Sequence, residues 1–179
     1  MEELIERREI YRGRIIQVNR DTVRLPDGGQ TTREVIEHPG AAVIVPVDAA
    51  GNVVLIRQYR YAAGREMIEL PAGTREKGEL PDRTAPRELE EETGYTAGSW
   101  ELLTRFFSSP GILTEEMFIY LARDLTAGAS KTESDEKIQV FTMPLRQAVQ
   151  MVERGEITDA KSIVGLLLAE KKLGTISTP

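Results

Sequence analysis

Residues 73–95 have the sequence GTREKGELPDRTAPRELEEETGY, in which acidic residues recur at helical spacing just before a Thr-Gly pair. Residues three and four apart share a face of a helix, so Glu88, Glu91 and Glu92 lie on one face whereas Glu90 points elsewhere. Like charges on one face repel each other, and a bound cation explains their placement better than helix stability does. The alternative is an ordinary solvated acidic face, which a run of glutamates by itself favours.

The residues that flank this run favour the first interpretation. Glu79 follows Gly73 by six residues, Arg87 follows Glu79 by eight, and the run RELEEETGY from Arg87 to Tyr95 completes the pattern. The pattern resembles the Nudix box, in which Gly, Glu, Arg-Glu, Glu-Glu and Gly stand at fixed intervals. So many fixed positions rarely coincide by chance, and the chain is therefore similar to the Nudix hydrolases.

The resemblance implies an α+β fold, a Nudix-type α/β/α sandwich with a mixed β-sheet, and cleavage of a nucleoside diphosphate linked to another moiety. It also implies Mg²⁺ or Mn²⁺ at the box helix, which suits pyrophosphate chemistry because divalent ions neutralise charge on the leaving oxygen. Glu79 and Arg87 would pair to fix the loop against the helix, and with Glu91 they belong to the implied catalytic group. The implied metal ligands are Glu88, Glu91, Glu92 and the carbonyl of Ala72.

Pro86 departs from the family pattern, because it stands where the box helix is usually already under way. A proline inside a helix removes a hydrogen bond and clashes one turn back, at a cost of about 3 kcal/mol. The sequence therefore predicts either a helix that begins later, near Thr84, or a bent helix. In both cases the turn from Glu88 to Glu92 follows the proline and keeps its geometry.

The chain before the box begins with β-leaning segments. Residues 9–25 and 31–37 flank the turn sequence PDGG at 26–29, which predicts a small N-terminal β-module over residues 1–38. Tyr11 is assigned to the core of this module.

We expect the Nudix hydrolase domain to span residues 39–179. The apolar run AAVIVPV at 41–47 is typical of a buried central strand. Asp159 predicts the N-cap of a last helix. The inner side of that helix is expected to carry Ile163, Leu166 and Leu167.

Beyond the box, the resemblance narrows to the ADP-ribose pyrophosphatase subfamily. The segments that carry it are IRQYR at 56–60, ELPAG at 69–73 and SPG at 109–111. The resemblance implies a homodimer in which the N-terminal module is shared between subunits, so that each active site takes residues from both chains. The segment TTREV at 31–35 matches the subfamily segment from which an arginine, here Arg33, reaches into the other subunit.

The implied substrate is ADP-ribose, a small-molecule nucleotide-sugar that would be hydrolysed to AMP and ribose 5-phosphate. Its two phosphates require guanidinium groups and its base requires apolar or aromatic surface. For Arg57 a solvated strand arginine is an equal alternative, and Glu115 is either a contact of the terminal ribose or a solvent-facing acid. The candidate substrate-binding residues are Arg33, Arg57, Tyr59, Arg60, Pro110, Gly111 and Glu115.

Hydrolysis also requires a base that accepts a proton from the attacking water. In the subfamily this acid comes from the loop before the last strand, here KTESDEK at 131–137. Aligned on Ile138, the usual first glutamate of that loop falls on Ser134, which is a second departure from the pattern. Glu136 matches the next acidic position and is predicted to be the base or a further metal ligand, with Glu133 as the alternative.

Composition argues against several other classes of function. A net charge of −6 without a clustered basic run argues against binding nucleic acid. With no Cys the chain has no thiolate metal site, and one histidine, His38, cannot form a multi-histidine site. Residues 1–14 are too charged for a signal peptide, and no apolar run approaches about 18 residues, so we expect a cytoplasmic protein with no membrane partner.

Two alternative functions remain open. The substrate would be a different nucleotide-sugar if the arginines recognise the diphosphate alone. A non-catalytic Nudix-like nucleotide sensor is the other alternative, and it is disfavoured because a sensor has no need of metal ligands. The intact set that counts against it is Glu79, Arg87, Glu88, Glu91 and Glu92.

Overall fold

Residues 1–128 and 138–174 are described by the structure, a computed structural model of the chain. The chain folds as two units, one comprising Met1–Gly40 with Phe106–Met117, the other Ala41–Arg105 with Phe118–Pro179. No helix within the described ranges combines the length and the apolar character that crossing a membrane requires.

The first unit contains a three-stranded antiparallel sheet with the strand order β1-β2-β3. Its strands are β1 (Glu3–Arg12), β2 (Gln17–Arg24) and β3 (Gln30–Glu37). The charged half of β1, where the sequence pattern does not predict a strand, is supported by Arg7, which donates to both carboxylate oxygens of Asp21 at 2.9 and 2.7 Å. Tyr11 is 57% exposed with its ring over Gly13, so the prediction of a core position was wrong.

In the second unit, the described strands form a four-stranded sheet, β7-β4-β9-β8, and a three-stranded sheet, β10-β5-β6. Strands β8 and β9 run on into the first unit at residues 106–107 and 116–117. The strands are β4 (Ala41–Pro46), β5 (Asn52–Arg60), β6 (Arg65–Glu69), β7 (Ala72–Thr74), β8 (Tyr95–Phe107), β9 (Glu116–Ala127) and β10 (Gln139–Pro144), and the helices are α1 (Pro81–Thr93), α2 (Leu145–Glu153) and α3 (Ala160–Gly174).

Strand β4 lies at the centre of this unit, and all six of its residues are buried, which confirms the predicted central strand. Ala42 and Ile44, two apart on the strand, face α1 and pack against Ala85 and Leu89, four apart on the helix. The two-residue period of the strand and the helical period of α1 therefore meet in one apolar cluster. This packing places α1 over β4 and the neighbouring edge strand β7.

Helix α3 packs against the other side of β4, which confirms the expected sandwich and the α+β class. A β-carbon added at Gly165 would lie 3.2 Å from Cγ2 of Val45, so the absence of a side chain lets the helix approach closely. The buried face of α3 contains Ser162, Gly165, Leu166 and Ala169. Leu166 is fully buried, as predicted. Leu167 is 43% exposed, so its predicted inner position was wrong, because it follows Leu166 by one residue and the helical period turns it about 100° away from the buried face.

Helix α1 begins at Pro81, so the predicted late start near Thr84 was wrong. Pro81 is tolerated at the first helical position because its missing N–H has no intrahelical partner there, and Asp82 suits the positive end of the helix dipole. Pro86 lies inside the helix. The N–H that it lacks would have donated to the carbonyl of Asp82, an exposed residue in the first turn of the helix.

Candidate active site

Strand β7 and helix α1 bring two box glutamates onto one piece of backbone. The antiparallel pairing of β7 with β4 places Gly73 opposite Ala42 and Ala72 opposite Val43. Because α1 packs on β4 as well, its carboxylates lie over the β7 backbone. The Ala72 N–H donates to Oε2 of Glu92 at 2.9 Å, and Glu92 is only 6% exposed.

The carboxylate of Glu88 lies directly over Gly73. A β-carbon added at Gly73 would stand 1.8 Å from Cδ of Glu88 and 2.0 and 2.2 Å from its two oxygens. These distances are far below van der Waals contact, so a side chain at position 73 would displace the carboxylate of Glu88 from the β7 backbone. Glu88 and Glu92, which both belong to α1, therefore lie against consecutive residues of β7.

Arg87 lies among three glutamates of the box. It donates to both oxygens of Glu79 at 3.1 and 3.0 Å, and its Nη1 lies 2.7 Å from Oε1 of Glu88 and 2.9 Å from Oε2 of Glu91. The sequence predicts that a bound cation balances the negative charge of these glutamates. In the structure, the guanidinium of Arg87 balances part of that charge. The pair with Glu79 also ties the loop before α1 to the helix.

The ion pair has a marked effect on Glu79. Hydrogen bonds from Arg87 and from the backbone N–H of Glu76 stabilise its ionised form and lower its pKa to about 2, although partial burial opposes the shift. The carboxylates around Arg87, with Glu79 first, raise the pKa of the guanidinium in return. Both groups are therefore charged throughout the neutral range.

This shift predicts an acid-dependent contribution to stability. Because the pKa of Glu79 is lower in the folded chain than its ordinary 4.5, the pair stabilises fully above about pH 4.5 and progressively less as pH falls toward about 2. We expect Glu79→Gln to lower the free energy of unfolding at neutral pH, with the difference from wild type narrowing below about pH 4.5. Urea unfolding followed by circular dichroism measures this difference.

The matched control is Glu153→Gln, which removes one carboxylate from the exposed side of α2. It should change the free energy of unfolding by less than about 0.5 kcal/mol at neutral pH. A difference between Glu79→Gln and wild type that stays constant down to the acid limit of folding would contradict the assigned ion pair.

The oxygen atoms around β7 are of the type that Mg²⁺ and Mn²⁺ bind, since hard cations prefer carboxylate and carbonyl ligands. The carboxylates of Glu88 and Glu92 and the backbone of Ala72 supply such atoms within one turn of helix and one strand. In residues 1–128 and 138–174, however, no three His, Cys, Asp or Glu side chains are gathered as a ready metal site. Glu91 is turned to Arg87, so the donor type fits the metal while the full set is not assembled.

A second charged cluster, which the sequence analysis did not anticipate, lies beneath Arg60. Glu69, 1% exposed, accepts hydrogen bonds from Arg60 at 2.8 and 2.7 Å and from Nζ of Lys161 at 2.5 Å. Lys161 also lies 2.9 Å from Oδ1 of Asp159. In the sequence, Glu69 was part of the ELPAG segment at 69–73, but nothing linked it to Lys161.

Burial and charge act in opposite directions on Glu69. Burial by itself raises the pKa of this carboxyl, whereas Arg60 and Lys161 together hold the pKa below its usual value. The same hydrogen bond raises the pKa of Arg60, and the negative charge of Glu92 adds to that effect. The side chain of Arg60 is 41% exposed. It is therefore paired with Glu69 and also attracted by the negative charge of Glu92.

The three candidates on β5 do not share one face. Arg57 and Tyr59, two residues apart, are exposed on the same face, with the Arg57 guanidinium 5.8 Å from the centre of the Phe141 ring. Arg60 lies on the opposite face, toward Glu69.

The remaining substrate-binding candidates lie in the first unit. Arg33 pairs with Glu2 at 2.6 Å, and Pro110 and Gly111 stand in an exposed loop. Glu115 is mostly buried, with Oε1 3.4 Å from Nδ1 of His38. Two further candidates, Glu133 and Glu136, together with Ser134, lie outside the described residues.

Comparisons with known proteins match most of this chain. The family described as NUDIX domain matches residues 37–164, and the one described as nucleoside diphosphate sugar hydrolase N-terminal domain matches residues 2–36. The chain is 38% identical to an ADP-ribose pyrophosphatase of Bacillus subtilis (strain 168), over 96% of this chain and 94% of that protein. It is 35% identical to a methanol dehydrogenase activator of Bacillus methanolicus, over 92% of this chain and 90% of that protein.

A solved structure shares the fold. The crystal structure of an ADP compounds hydrolase superposes with a TM-score of 0.86 and covers 98% of this chain and 96% of its own. Its sequence identity is 22%, so this likeness concerns the fold alone.

Proposed function

The chain belongs to the Nudix hydrolase family, and we propose that it hydrolyses the pyrophosphate bond of ADP-ribose to AMP and ribose 5-phosphate with Mg²⁺ or Mn²⁺. The family and the relatives show that the chain is an enzyme of the nucleotide-sugar pyrophosphatase kind. This finding disfavours the alternative of a non-catalytic sensor. The proposed part is the identity of the substrate, the metal and the residues.

The observation that carries the proposal is that the carboxylates of Glu88 and Glu92 lie against the backbone of Gly73 and Ala72. We assign Glu88, Glu92 and the Ala72 carbonyl as metal ligands, with Glu91 as a further ligand, direct or through water. A divalent ion held there would supply charge neutralisation for the pyrophosphate and would lower the pKa of the attacking water.

The chain's own residues then have separate tasks. Arg87 and Glu79 hold the loop after β7 against α1, and the N–H of Ala72 holds Glu92 in place. When water attacks phosphorus and the bridging P–O bond breaks, a carboxylate accepts the proton of that water. We assign this role to Glu136, with Glu133 as the alternative.

For substrate recognition we assign Arg57, Tyr59 and Arg60 from the second unit. Guanidinium groups suit the diphosphate, and the exposed ring of Tyr59 suits a base or ribose. From the first unit we assign Arg33, Pro110, Gly111 and Glu115.

The first unit also supports the proposal of a homodimer that shares its N-terminal module. All ten residues of β1 are exposed, and four of them are large apolar side chains, Leu4, Ile5, Ile10 and Tyr11. Large apolar side chains that are exposed on the edge strand of a sheet favour association. Sedimentation equilibrium tests this, because a dimer has twice the 20.0 kDa mass of one chain, and a monomer at micromolar concentration would exclude the shared module.

The proposed substrate is tested with a panel of nucleoside diphosphate sugars in the presence of Mg²⁺ or Mn²⁺. We expect ADP-ribose to give the highest kcat/KM, with AMP and ribose 5-phosphate released in equal amounts. ADP-glucose and GDP-mannose are the matched comparisons, since one changes the sugar and the other also changes the base. Turnover of another nucleotide-sugar without turnover of ADP-ribose would overturn the substrate assignment and leave the reaction class intact.

A further inference from the structure

We propose that Lys161, in the first turn of α3, is a positioning residue for recognition of the substrate's diphosphate, acting through Glu69 on Arg60. The inference rests on the proposed function, because it concerns an arginine assigned there to the substrate. Lys161 itself is too enclosed to be a general surface cation: it is 8% exposed.

The position of Lys161 is set by two carboxylates. Its Nζ lies 2.5 Å from Oε2 of Glu69 and 2.9 Å from Oδ1 of Asp159. A buried ammonium is tolerated only with such partners. The same Oε2 of Glu69 also accepts a hydrogen bond from Arg60, so two cations share one carboxylate oxygen.

The charges in this cluster explain how Lys161 affects Arg60. Arg60 and Lys161 supply two positive charges, and Glu69 and Asp159 supply two negative ones, so the four groups sum to zero. Without Lys161 the sum becomes −1 beside Glu92. Among the described residues, Arg60 would then be the one cation left on Glu69. A more tightly held guanidinium and an added negative charge both weaken attraction for a diphosphate.

The backbone of the same region is anchored by neighbours of Lys161. Asp159 caps α3, accepting the N–H of Ser162 at 3.0 Å, and the hydroxyl of Ser162 accepts the N–H of Leu70 at 2.7 Å. The Lys161 side chain takes no part in these two bonds. A Lys161 variant therefore removes one of the two positive charges that balance Glu69, and the hydrogen bonds that attach α3 to the segment before β7 are not directly altered.

The experiment compares Lys161→Met and Lys161→Arg with wild type in steady-state hydrolysis of ADP-ribose with Mg²⁺. We expect Lys161→Met to raise KM about tenfold, as loss of one charge-assisted contact predicts, with kcat changed less than about threefold. Lys161→Arg, which keeps the charge, should bring KM back to within about threefold of wild type. The control is Lys172→Met, the same change on the same helix at a lysine 46% exposed, which should leave KM unchanged.

A double variant separates positioning from a general structural effect. In the Glu69→Gln background, adding Lys161→Met should raise KM by less than about twofold, because the charge on which Lys161 acts is already absent. An equal effect of Lys161→Met with and without Glu69, or an unchanged KM in folded Lys161→Met, overturns the inference. Should Lys161→Met not fold, Lys161→Gln is measured in its place with the same expectation.

Failure of the proposed function is distinguishable from failure of this inference. If wild type turns over no nucleotide-sugar, the proposed function and this inference fall together. If wild type turns over ADP-ribose and the Lys161 variants behave like wild type, this inference alone is overturned.

Discussion

Replacing Glu92 by Gln is expected to lower kcat for nucleotide-sugar hydrolysis by about 100- to 1,000-fold while the fold is kept. The amide has the shape of the carboxylate, and its oxygen still accepts the N–H of Ala72, now 2.9 Å from Oε2. What is lost is the negative charge assigned to holding the metal. Initial rates with ADP-ribose, together with nucleotide affinity by calorimetry, measure the effect, and we expect affinity for AMP to stay within about threefold of wild type.

Glu90→Gln is the matched control for this variant, since it makes the same change in the same run of glutamates at a residue with no assigned role. It should keep kcat within about threefold of wild type. Metal binding gives a readout besides activity: Mg²⁺ or Mn²⁺ should raise the melting temperature of wild type and of Glu90→Gln, and raise that of Glu92→Gln far less. A Glu92→Gln enzyme with wild-type kcat would refute the metal assignment.

Gly73→Ala is expected to lower the rate of ADP-ribose hydrolysis by about 100-fold or more, with only a modest effect on the free energy of unfolding. A β-carbon at this position would stand 1.8 Å from Cδ of Glu88. Glu88 is a flexible side chain and can rotate away, so we expect the free energy of unfolding to fall by no more than about 1–2 kcal/mol. The carboxylate would then leave the β7 backbone, and with it the assigned metal site.

Gly174→Ala serves as the control, because nothing in the described part of the chain lies within 4 Å of the β-carbon it adds at the end of α3. Rates of ADP-ribose hydrolysis and urea unfolding of both variants separate the effect on the site from the effect on the fold. An active Gly73→Ala enzyme would mean that Glu88 is not needed over this strand. An unfolded Gly73→Ala protein would mean that the contact between Glu88 and Gly73 is needed mainly for folding.

The sequence predicted those features that depend on local spacing. The helical period places Glu88 and Glu92 one turn apart, and the buried run at 41–47 predicts a central strand because it leaves no polar face. Pairing of β7 with β4 and packing of α1 on the same strand then bring these glutamates to Ala72 and Gly73. The start of α1 was less predictable, because Pro81 and Pro86 give competing signals and packing of Ala85 and Leu89 on β4 favours the longer helix.

The sequence by itself determined the family and the box, and it predicted oxygen as the type of ligand atom, because these follow from residue types at fixed short intervals. The pairing of Arg87 with Glu79 was expected from the box. Only the tertiary structure decided how Arg60 is balanced, because Arg60 is engaged by Glu69 and, through it, by Lys161, which lies 92 residues further along the chain than Glu69. Contacts at such separations arise from the packing of α3 against the sheet, and no periodicity along the chain encodes them. The same packing turned Lys161, an ordinary first-turn lysine in the sequence, into a buried partner of the candidate site.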